Sequence, residues 1–315
     1  VDLLVNSSHH ACHEARRVRV HRASCAECDA TAHAVDEHGP VDAAGRVVSR
    51  RMPRYAVSPS RVAALAEFLH QAAHIPPGAR ILDVGHGCGD SLLLLAETYK
   101  PACLHGVTFE AAQAQQARQR LGERATIWCA DAVAWLKNSV DTYDTVLALD
   151  CAYHFSDRAD FVRTASQRLA PGGTLALVDL VGAWPYPAWL TPAPSVPAPS
   201  RPPMVWERVQ HYVICRLSRT NPHAFLSFDA YRALLHEAHL DVVDVQDISH
   251  DVFPGLAAFL RGLGVHDRAW RGGSVWQRCA LRAFGSVVHK WAHGGDSGRV
   301  RCSLWVARKA QAQNA

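Results

Sequence analysis

The hydrophobic pattern through the middle of the chain alternates between two kinds of segment. Short runs that are apolar almost throughout are typical of strands buried on both faces of a parallel sheet, and the segments between them repeat apolar residues at helical spacing. The predicted strands are 81–84, 103–108, 125–129, 145–150 and 174–180, and the predicted helices are 91–97, 111–121, 133–137 and 158–169. Because such alternation requires right-handed crossovers, it predicts a doubly wound α/β sheet with its ligand at the carboxyl edge.

Patterned segments continue on both sides of this core. Ser58 or Ser60 can cap a predicted helix that ends before Pro76. Further helices are predicted at 204–216, 228–238 and 275–291, and further strands at 240–248 and 300–307. The last strand is expected to be antiparallel, which gives a mostly parallel sheet of seven strands with helices on both faces.

Two regions lack this pattern. Residues 1–50 show no sustained periodicity, and we interpret them as loop with at most a short helix, contributing to a cap. The remainder, 51–315, is predicted to be one domain. Within it, 185–203 is rich in proline and therefore stiff, so it is either a linker or a loop over the site. The helix that follows, 204–218, is assigned to the cap.

Composition narrows the class of protein. Hydrophobic residues make up 49% of the 315 residues and charged ones 20%, which is ordinary for a globular protein. The net charge is only +4 and the basic residues are scattered, so no nucleic-acid partner is predicted. No apolar run reaches the length of a membrane span, although peripheral membrane contact remains open. The first residues lack the pattern of a signal peptide.

Cysteine usage favours a reducing compartment. Ten cysteines are too dilute for a disulfide scaffold, so we expect free thiols and a cytoplasmic protein. Cys12, Cys25 and Cys28 lie near several histidines and together would suit a zinc site. A second C-x-x-C is missing from the sequence, and a loosely ordered region is the favoured interpretation. No metal is predicted.

An acidic residue and three alternate glycines follow the first strand. Asp83 precedes Gly85, Gly87 and Gly89, and a predicted helix begins directly afterwards. Glycines permit positive φ and remove the Cβ atoms that would block a nucleotide-like ligand. The spacing is G-x-G-x-G, whereas a dinucleotide site requires G-x-G-x-x-G. It resembles motif I of the class I S-adenosylmethionine-dependent methyltransferases, which implies a Rossmann-like fold and S-adenosyl-L-methionine held at its methionine end and ribose.

The end of the second strand supports the same resemblance. Thr108 and Gln113 are similar to the G-[IVL]-T-x-x-x-x-Q variant of the cyclopropane-fatty-acid, sterol and related small-molecule methyltransferases. The resemblance implies that these two residues replace the carboxylate that usually binds the ribose. Two alternatives remain open: Glu110 reaches the ribose instead, and Gln113 is a solvated helix residue.

The ends of the third and fourth strands complete the set. By the same resemblance, Asp131 and the amide of Ala132 bind adenine, although Asp131 can equally cap the next helix. Asp150 corresponds to the region beside the methionine moiety. Close behind it, His154 has the pKa of a general base, and Tyr153 can present a hydroxyl or a ring face to a cation. These two are the candidate catalytic residues, against the alternative that His154 only bonds its neighbours.

The combined resemblance covers 58–180 and implies methyl transfer to a small acceptor. Direct in-line transfer needs few catalytic residues, so specificity is expected from the cap. The cap's candidate segments, including the apolar stretch 252–260, are rich in aromatic and aliphatic residues, which favours a lipophilic acceptor. Two alternatives stand beside this prediction: an inactive methyltransferase-like scaffold and, more weakly, an NAD-dependent oxidoreductase. The acceptor atom and the oligomeric state are not specified by the sequence.

Overall fold

The computed structural model describes residues 59–155, 157–182, 212, 215, 220, 225–262, 275–293 and 300–311. The strands are β1 Arg80–Val84, β2 Cys103–Thr108, β3 Thr126–Cys129, β4 Tyr143–Leu149, β5 Leu169–Gly182, β6 Leu240–Asp247 and β7 Val300–Lys309. The helices are α1 Pro59–Ala72, α2 Asp90–Thr98, α3 Ala111–Leu121, α4 Ala132–Asn138, α5 Arg158–Arg168, α6 Phe228–Glu237, α7 Ser249–Gly262 and α8 Val275–His293.

The seven strands form one sheet in the order β3-β2-β1-β4-β5-β7-β6. Strands β1 to β5 pair in parallel, and β7 is inserted antiparallel between β5 and β6. The predicted seven-stranded, mostly parallel sheet is therefore confirmed. The strand order reverses beside β1, which is the place where open α/β sheets bind their ligands.

Helices cover both faces of the sheet, as the nearly apolar strands require. Buried side chains of α1, α2, α3, α7 and α8 form the core on one face. Those of α4, α5 and α6 form the core on the other. Alternate residues of β1 enter the two cores, Ile81 on the first face and Leu82 and Val84 on the second. Asp83 is the one residue of this buried run that brings a charge-bearing group into the interior.

The fifth strand differs from the prediction at its start. The sequence predicted a turn at 171–173 before a strand at 174–180, whereas β5 begins at Leu169. Two residues along β4 are matched by five along β5, so the predicted turn is a bulge in a longer strand. Gly172 has a positive φ of 78° there, and a Cβ on Gly173 would lie 2.9 Å from the carbonyl oxygen of Ala170. Both glycines are needed because the chain kinks back into register.

One segment that the sequence assigned to the cap belongs to the core. Residues 252–260 lie in α7, where Phe253, Ala257 and Leu260 are buried against α8 and the sheet. These apolar residues are core side chains. The predictions for 1–50, for the proline-rich 185–203 and for the cap helix 204–218 lie outside the described residues, apart from Tyr212 and Cys215 within that last range. The predicted domain organisation stays a prediction.

Candidate functional site

Four predicted site segments meet at one edge of the sheet. Val84 is in register with Val107 and with Ala148, and Thr108 is in register with Cys129. The carboxyl ends of β1 to β4 are therefore level to within about one residue. The segments that follow them, which begin at 85, 109, 130 and 150, lie side by side as the sequence predicted.

The glycine turn has the backbone conformation that its sequence requires. Gly85, Gly87 and Gly89 have φ values of 72°, 57° and 87°, all in the left-handed region that side chains other than glycine rarely adopt. Gly89 is the N-cap of α2 and makes no side-chain capping bond. The first N–H groups of a helix lack intrahelical acceptors, so this turn presents backbone donors at the sheet edge, where a ligand can accept them.

Gly85 also joins the turn after β1 to strand β2 and to the turn after β4. Its N–H donates to the carbonyl oxygen of Val107 at 2.7 Å. A Cβ on Gly85 would lie 2.6 Å from Cys151 Sγ, and that thiol donates to the carbonyl oxygen of Val84 at 3.1 Å. The β1 and β4 turns thus touch without space for a larger side chain. Sequence reasoning missed Cys151, and an isolated cysteine after a strand gives no signal of such a contact.

Asp83 lies under the glycine turn with no exposed surface. Burial raises the pKa of its carboxyl to about 7, and the neighbouring Ser91 hydroxyl opposes the rise. His86, within the turn, is also buried, and burial lowers its pKa to about 4, so its imidazole is neutral at physiological pH. A Cβ on Gly106 would come within 2.7 Å of the His86 ring, which explains why β2 has a glycine at that position.

The structure brings the predicted ribose-binding pair together. The Thr108 hydroxyl donates to Gln113 Oε1 at 3.0 Å. This bond orients the Gln113 amide from the first turn of α3 toward the end of β2, so the interpretation of Gln113 as a purely solvated side chain is not favoured. Glu110 is the N-cap of α3 and makes no side-chain capping bond. The ribose role of the pair stays a prediction.

Asp131 adopts its structural role at the end of β3. It is the N-cap of α4, and its carboxylate accepts the N–H of Ala134 at 2.8 Å. Ala132, the first residue of that helix, is buried. Trp135 of α4 packs against Trp128 with ring centroids 4.8 Å apart. Capping leaves the adenine role of Asp131 compatible with the geometry, since a carboxylate accepts several bonds.

A short turn after β4 carries the candidate catalytic residues. Asp150 has a positive φ of 55°, and its N–H donates to the carbonyl oxygen of Val178 at 2.8 Å. Tyr153 is buried, and burial together with the Asp150 carboxylate holds its pKa well above the usual range, so its phenol is a hydrogen-bond donor and not a base. His154 is exposed, with its ring centroid 4.3 Å from that of Tyr153.

A buried ionic cluster on β5, α5 and α6 lies next to the turn that follows β4. Asp179 on β5 accepts the Tyr231 hydroxyl at 2.9 Å and lies 3.3 Å from Arg158 Nε. Its carboxylate also accepts the backbone N–H of Leu180 at 2.8 Å. Burial raises the pKa of Asp179, and the Arg158 guanidinium opposes that shift. Sequence reasoning missed this cluster because its members are separated by up to 73 residues and meet only in the fold.

The chain resembles known methyltransferases in sequence and in fold. Residues 81–173 match the family described as Methyltransferase domain. Over 124 residues the chain is 35% identical to erythromycin 3''-O-methyltransferase of Saccharopolyspora erythraea. The aligned stretch covers 37% of this chain and 40% of that protein. The cyclopropane synthase MmaA2 of Mycobacterium tuberculosis shares the fold, with a TM-score of 0.59, 16% identity, and coverage of 78% of this chain and 84% of that one. Residues 81–173 are thus similar to a methyltransferase domain.

A second relative matches over a longer stretch of the chain. The 27-O-demethylrifamycin SV methyltransferase of Amycolatopsis mediterranei is 29% identical over 182 residues, which is 56% of this chain and 59% of that protein. The chain thus spans 40% and 59% of the two curated relatives. The Rossmann-like architecture that the glycine turn implied is confirmed by the sheet order and by the structural likeness.

The described residues offer neither a metal-binding cluster nor a membrane-spanning helix. Within them, no group of three or more His, Cys, Asp or Glu side chains could hold a metal ion. Cys12, Cys25 and Cys28, which together suited zinc, lie outside the described residues. None of the described helices is both long and apolar enough to cross a membrane.

Proposed function

We propose that this protein transfers a methyl group from S-adenosyl-L-methionine to a small acceptor. One observation carries the proposal. The left-handed glycine turn, the Thr108–Gln113 pair, Asp131 and Asp150 follow four adjacent parallel strands and lie along one edge of the sheet. This is the arrangement that the family's motifs imply for one extended cofactor, and the named relatives are methyltransferases.

The residues at the edge fit this cofactor. The glycine turn and the uncapped start of α2 offer backbone donors to the methionine end. The Thr108–Gln113 pair would bind the ribose, Asp131 with the amide of Ala132 would bind adenine, and Asp150 would lie beside the methionine moiety. S-adenosylmethionine supplies a methyl group already activated on a sulfonium. The protein then has to align the acceptor and keep water out.

His154 and Tyr153 are assigned to the acceptor side of the site. His154 is exposed at the sheet edge and can take a proton from an acceptor hydroxyl as it is methylated. Tyr153 stays protonated beside Asp150 and packs against the His154 ring at an interplanar angle of 42°, so it orients that imidazole. The expected result of His154→Asn is a large loss of kcat with unchanged cofactor affinity.

The acceptor is proposed to be a hydroxyl on a lipophilic small molecule. Two relatives are named for oxygen methylation, of erythromycin and of a demethylrifamycin. The apolar composition of 185–218 supports the same class of acceptor. We also propose a cytoplasmic location, which is supported by the free thiols of all the described cysteines, and no nucleic-acid partner.

The decisive experiment follows the methyl group. The purified chain is incubated with S-adenosylmethionine labelled in the methyl group and a panel of hydroxylated macrolides, phenols and prenyl compounds. Label in an extracted product supports the proposal, and transfer to hydroxylated compounds alone supports the oxygen acceptor. Cofactor binding without transfer to any compound would favour the inactive scaffold. Binding of NAD but not S-adenosylmethionine in calorimetry would overturn the proposal.

A further inference from the structure

The turn that follows β4 is tied to β5 at both of its ends. At its start, the N–H of Asp150 donates to the carbonyl oxygen of Val178 at 2.8 Å. Just beyond its end, Arg158 begins α5, and its Nη1 donates to the carbonyl oxygen of Leu180 at 3.4 Å. The proposed base His154 lies between these two attachments, so they determine where its backbone lies at the sheet edge.

The second attachment includes a buried ion pair that Tyr231 completes. Arg158 Nε lies 3.3 Å from Asp179 Oδ2, and the Tyr231 hydroxyl donates to the same oxygen at 2.9 Å. The other oxygen, Oδ1, accepts the N–H of Leu180 at 2.8 Å. Arg158 Nη2 is buried and has no hydrogen-bond partner among the described residues. The orientation of the guanidinium therefore depends on this single carboxylate, which is itself oriented by Tyr231.

Packing fixes the Tyr231 ring independently of its hydroxyl. The ring has no exposed surface and stacks on Trp305 of β7, with centroids 4.7 Å apart and an interplanar angle of 16°. The Arg158 guanidinium lies 5.4 Å from the centroid of the Tyr231 ring. Trp305 Nε1 donates to Ser303 Oγ at 2.8 Å, which holds the indole in turn. Removal of the hydroxyl should therefore leave the ring in place and change only its bond to Asp179.

We propose that Tyr231 is a positioning residue for methyl transfer. Its hydroxyl fixes the Asp179 carboxylate, the carboxylate fixes Arg158, and Arg158 fixes the turn that carries His154. The inference rests on the proposed function, which assigns that turn to the acceptor side of the site. In-line transfer requires the acceptor, the methyl group and the base to be aligned, and a displacement of about 1 Å can reduce the rate by about 100-fold. Tyr231 thus acts on the reaction without contacting either substrate.

The first measurement separates turnover from binding in Tyr231→Phe. The acceptor is the hydroxylated compound of the proposed panel that takes up the most label, and S-adenosylmethionine is saturating. We expect kcat to fall by about 10-fold. The dissociation constants of S-adenosylmethionine and S-adenosylhomocysteine, measured by calorimetry, should change by less than about 2-fold. The reason is that Tyr231 packs on β7, away from the segments that follow β1 to β3, and Asp150 keeps its own bond to Val178.

The second measurement, amide hydrogen exchange, needs no activity. The N–H of His154 donates to the carbonyl oxygen of Cys151 at 3.0 Å, and that of Phe155 donates to the carbonyl oxygen of Ala152 at 3.2 Å. Both bonds lie within the turn, so the exchange rates of these two amides report how firmly it is held. In Tyr231→Phe they should exchange about 3- to 10-fold faster than in the unmodified chain.

Tyr143→Phe is the matched control. Tyr143 also has no exposed surface, and its hydroxyl lies 2.8 Å from His105 Nδ1. It is the first residue of β4, at the opposite end of that strand from the turn. The control removes the same hydroxyl from a buried hydrogen bond, so it reproduces any general loss of stability. Turnover and exchange of the turn amides should stay within about 2-fold of the unmodified chain.

The inference requires both changes in Tyr231→Phe and neither in Tyr143→Phe. Slower turnover without faster exchange, faster exchange without slower turnover, or equal changes in the two variants would overturn it and leave the proposed function intact. If the unmodified chain transfers no methyl group to any compound, the proposed function fails. Hydrogen exchange then decides separately whether Tyr231 holds the turn.

Discussion

At the scale of single residues, the site combines groups that reduce stability with groups that serve binding. The glycine turn requires three left-handed residues in five positions, and Asp83 places a carboxyl in an apolar interior. A stable fold would avoid both features. Both features lie at the end of β1, where the proposed cofactor would bind.

Gly87→Val is expected to abolish cofactor binding while the domain remains folded. A branched side chain is strained at the φ of 57° that Gly87 adopts, at a cost of about 1–2 kcal/mol, and it adds bulk to the turn. The matched control is Gly78→Val, because Gly78 has a φ of 67° with no atom within 4 Å of an added Cβ. Calorimetry and thermal denaturation check both. Equal cofactor affinity in the two variants would show that the turn is purely structural.

The Asp83 carboxyl predicts a pH dependence of stability with a definite sign. Its pKa is raised from 3.8 to about 7 in the folded protein, so the protonated form favours folding. This stabilisation is complete below about pH 4 and is lost as the pH rises through 7.

Compared with Asp83→Asn, the unmodified protein should therefore lose roughly 2–4 kcal/mol of unfolding free energy between pH 4 and pH 8. His70 and His86 titrate with the opposite sign in both proteins, and they cancel in the difference. Urea denaturation across this pH range measures it. A difference that does not vary with pH would mean that Asp83 is not the group being titrated.

At the scale of secondary-structure elements, local sequence determined most boundaries. Strand β2 and helix α3 have the predicted bounds. Strand β2 is a short run that is buried throughout, and α3 is an alanine- and glutamine-rich segment with clear ends. The start of β5 was not predicted, because the proline and glycines that usually end a strand here form a bulge against β4. Only pairing with the neighbouring strand decides between these outcomes.

The attachment of α5 to β5 depends on one buried ion pair. Arg158 is 5% exposed and lies over the Tyr231 ring at 5.4 Å, beside Asp179. Arg158→Met leaves the Asp179 carboxylate buried without its counter-charge, so we expect a loss of about 3–5 kcal/mol. Arg163→Met is the control on the same helix, since Arg163 pairs with Asp160 at the surface and should cost less than about 1 kcal/mol. Similar losses in urea denaturation would contradict the structural role of the buried pair.

At the scale of the whole molecule, the sheet holds the site together from distant parts of the chain. The four segments at its carboxyl edge begin at 85, 109, 130 and 150, and the cluster behind them includes Tyr231 from α6. Because a ligand across this edge contacts several elements at once, its binding energy stabilises the whole domain against unfolding.

S-adenosylhomocysteine should therefore raise the midpoint of thermal denaturation. At 100 times its dissociation constant, the ligand adds about 2.7 kcal/mol to the free energy of unfolding. For a domain of this size we expect a rise of roughly 5 °C or more. NAD at the same concentration is the control and should leave the midpoint unchanged. A rise with NAD alone would support the oxidoreductase alternative.

The sequence by itself determined the alternation of strands and helices, the seven-stranded sheet and the glycine turn, because hydrophobic period and glycine placement are local properties. It also placed Thr108, Asp131 and Asp150 at strand ends. Only the tertiary structure showed that Cys151 packs on Gly85, that Asp179 pairs with Arg158 and Tyr231, and that His70 lies within hydrogen-bond distance of Ser91. These contacts join residues far apart in the chain, and burial, which sets the charge of each group, exists only once the core has formed.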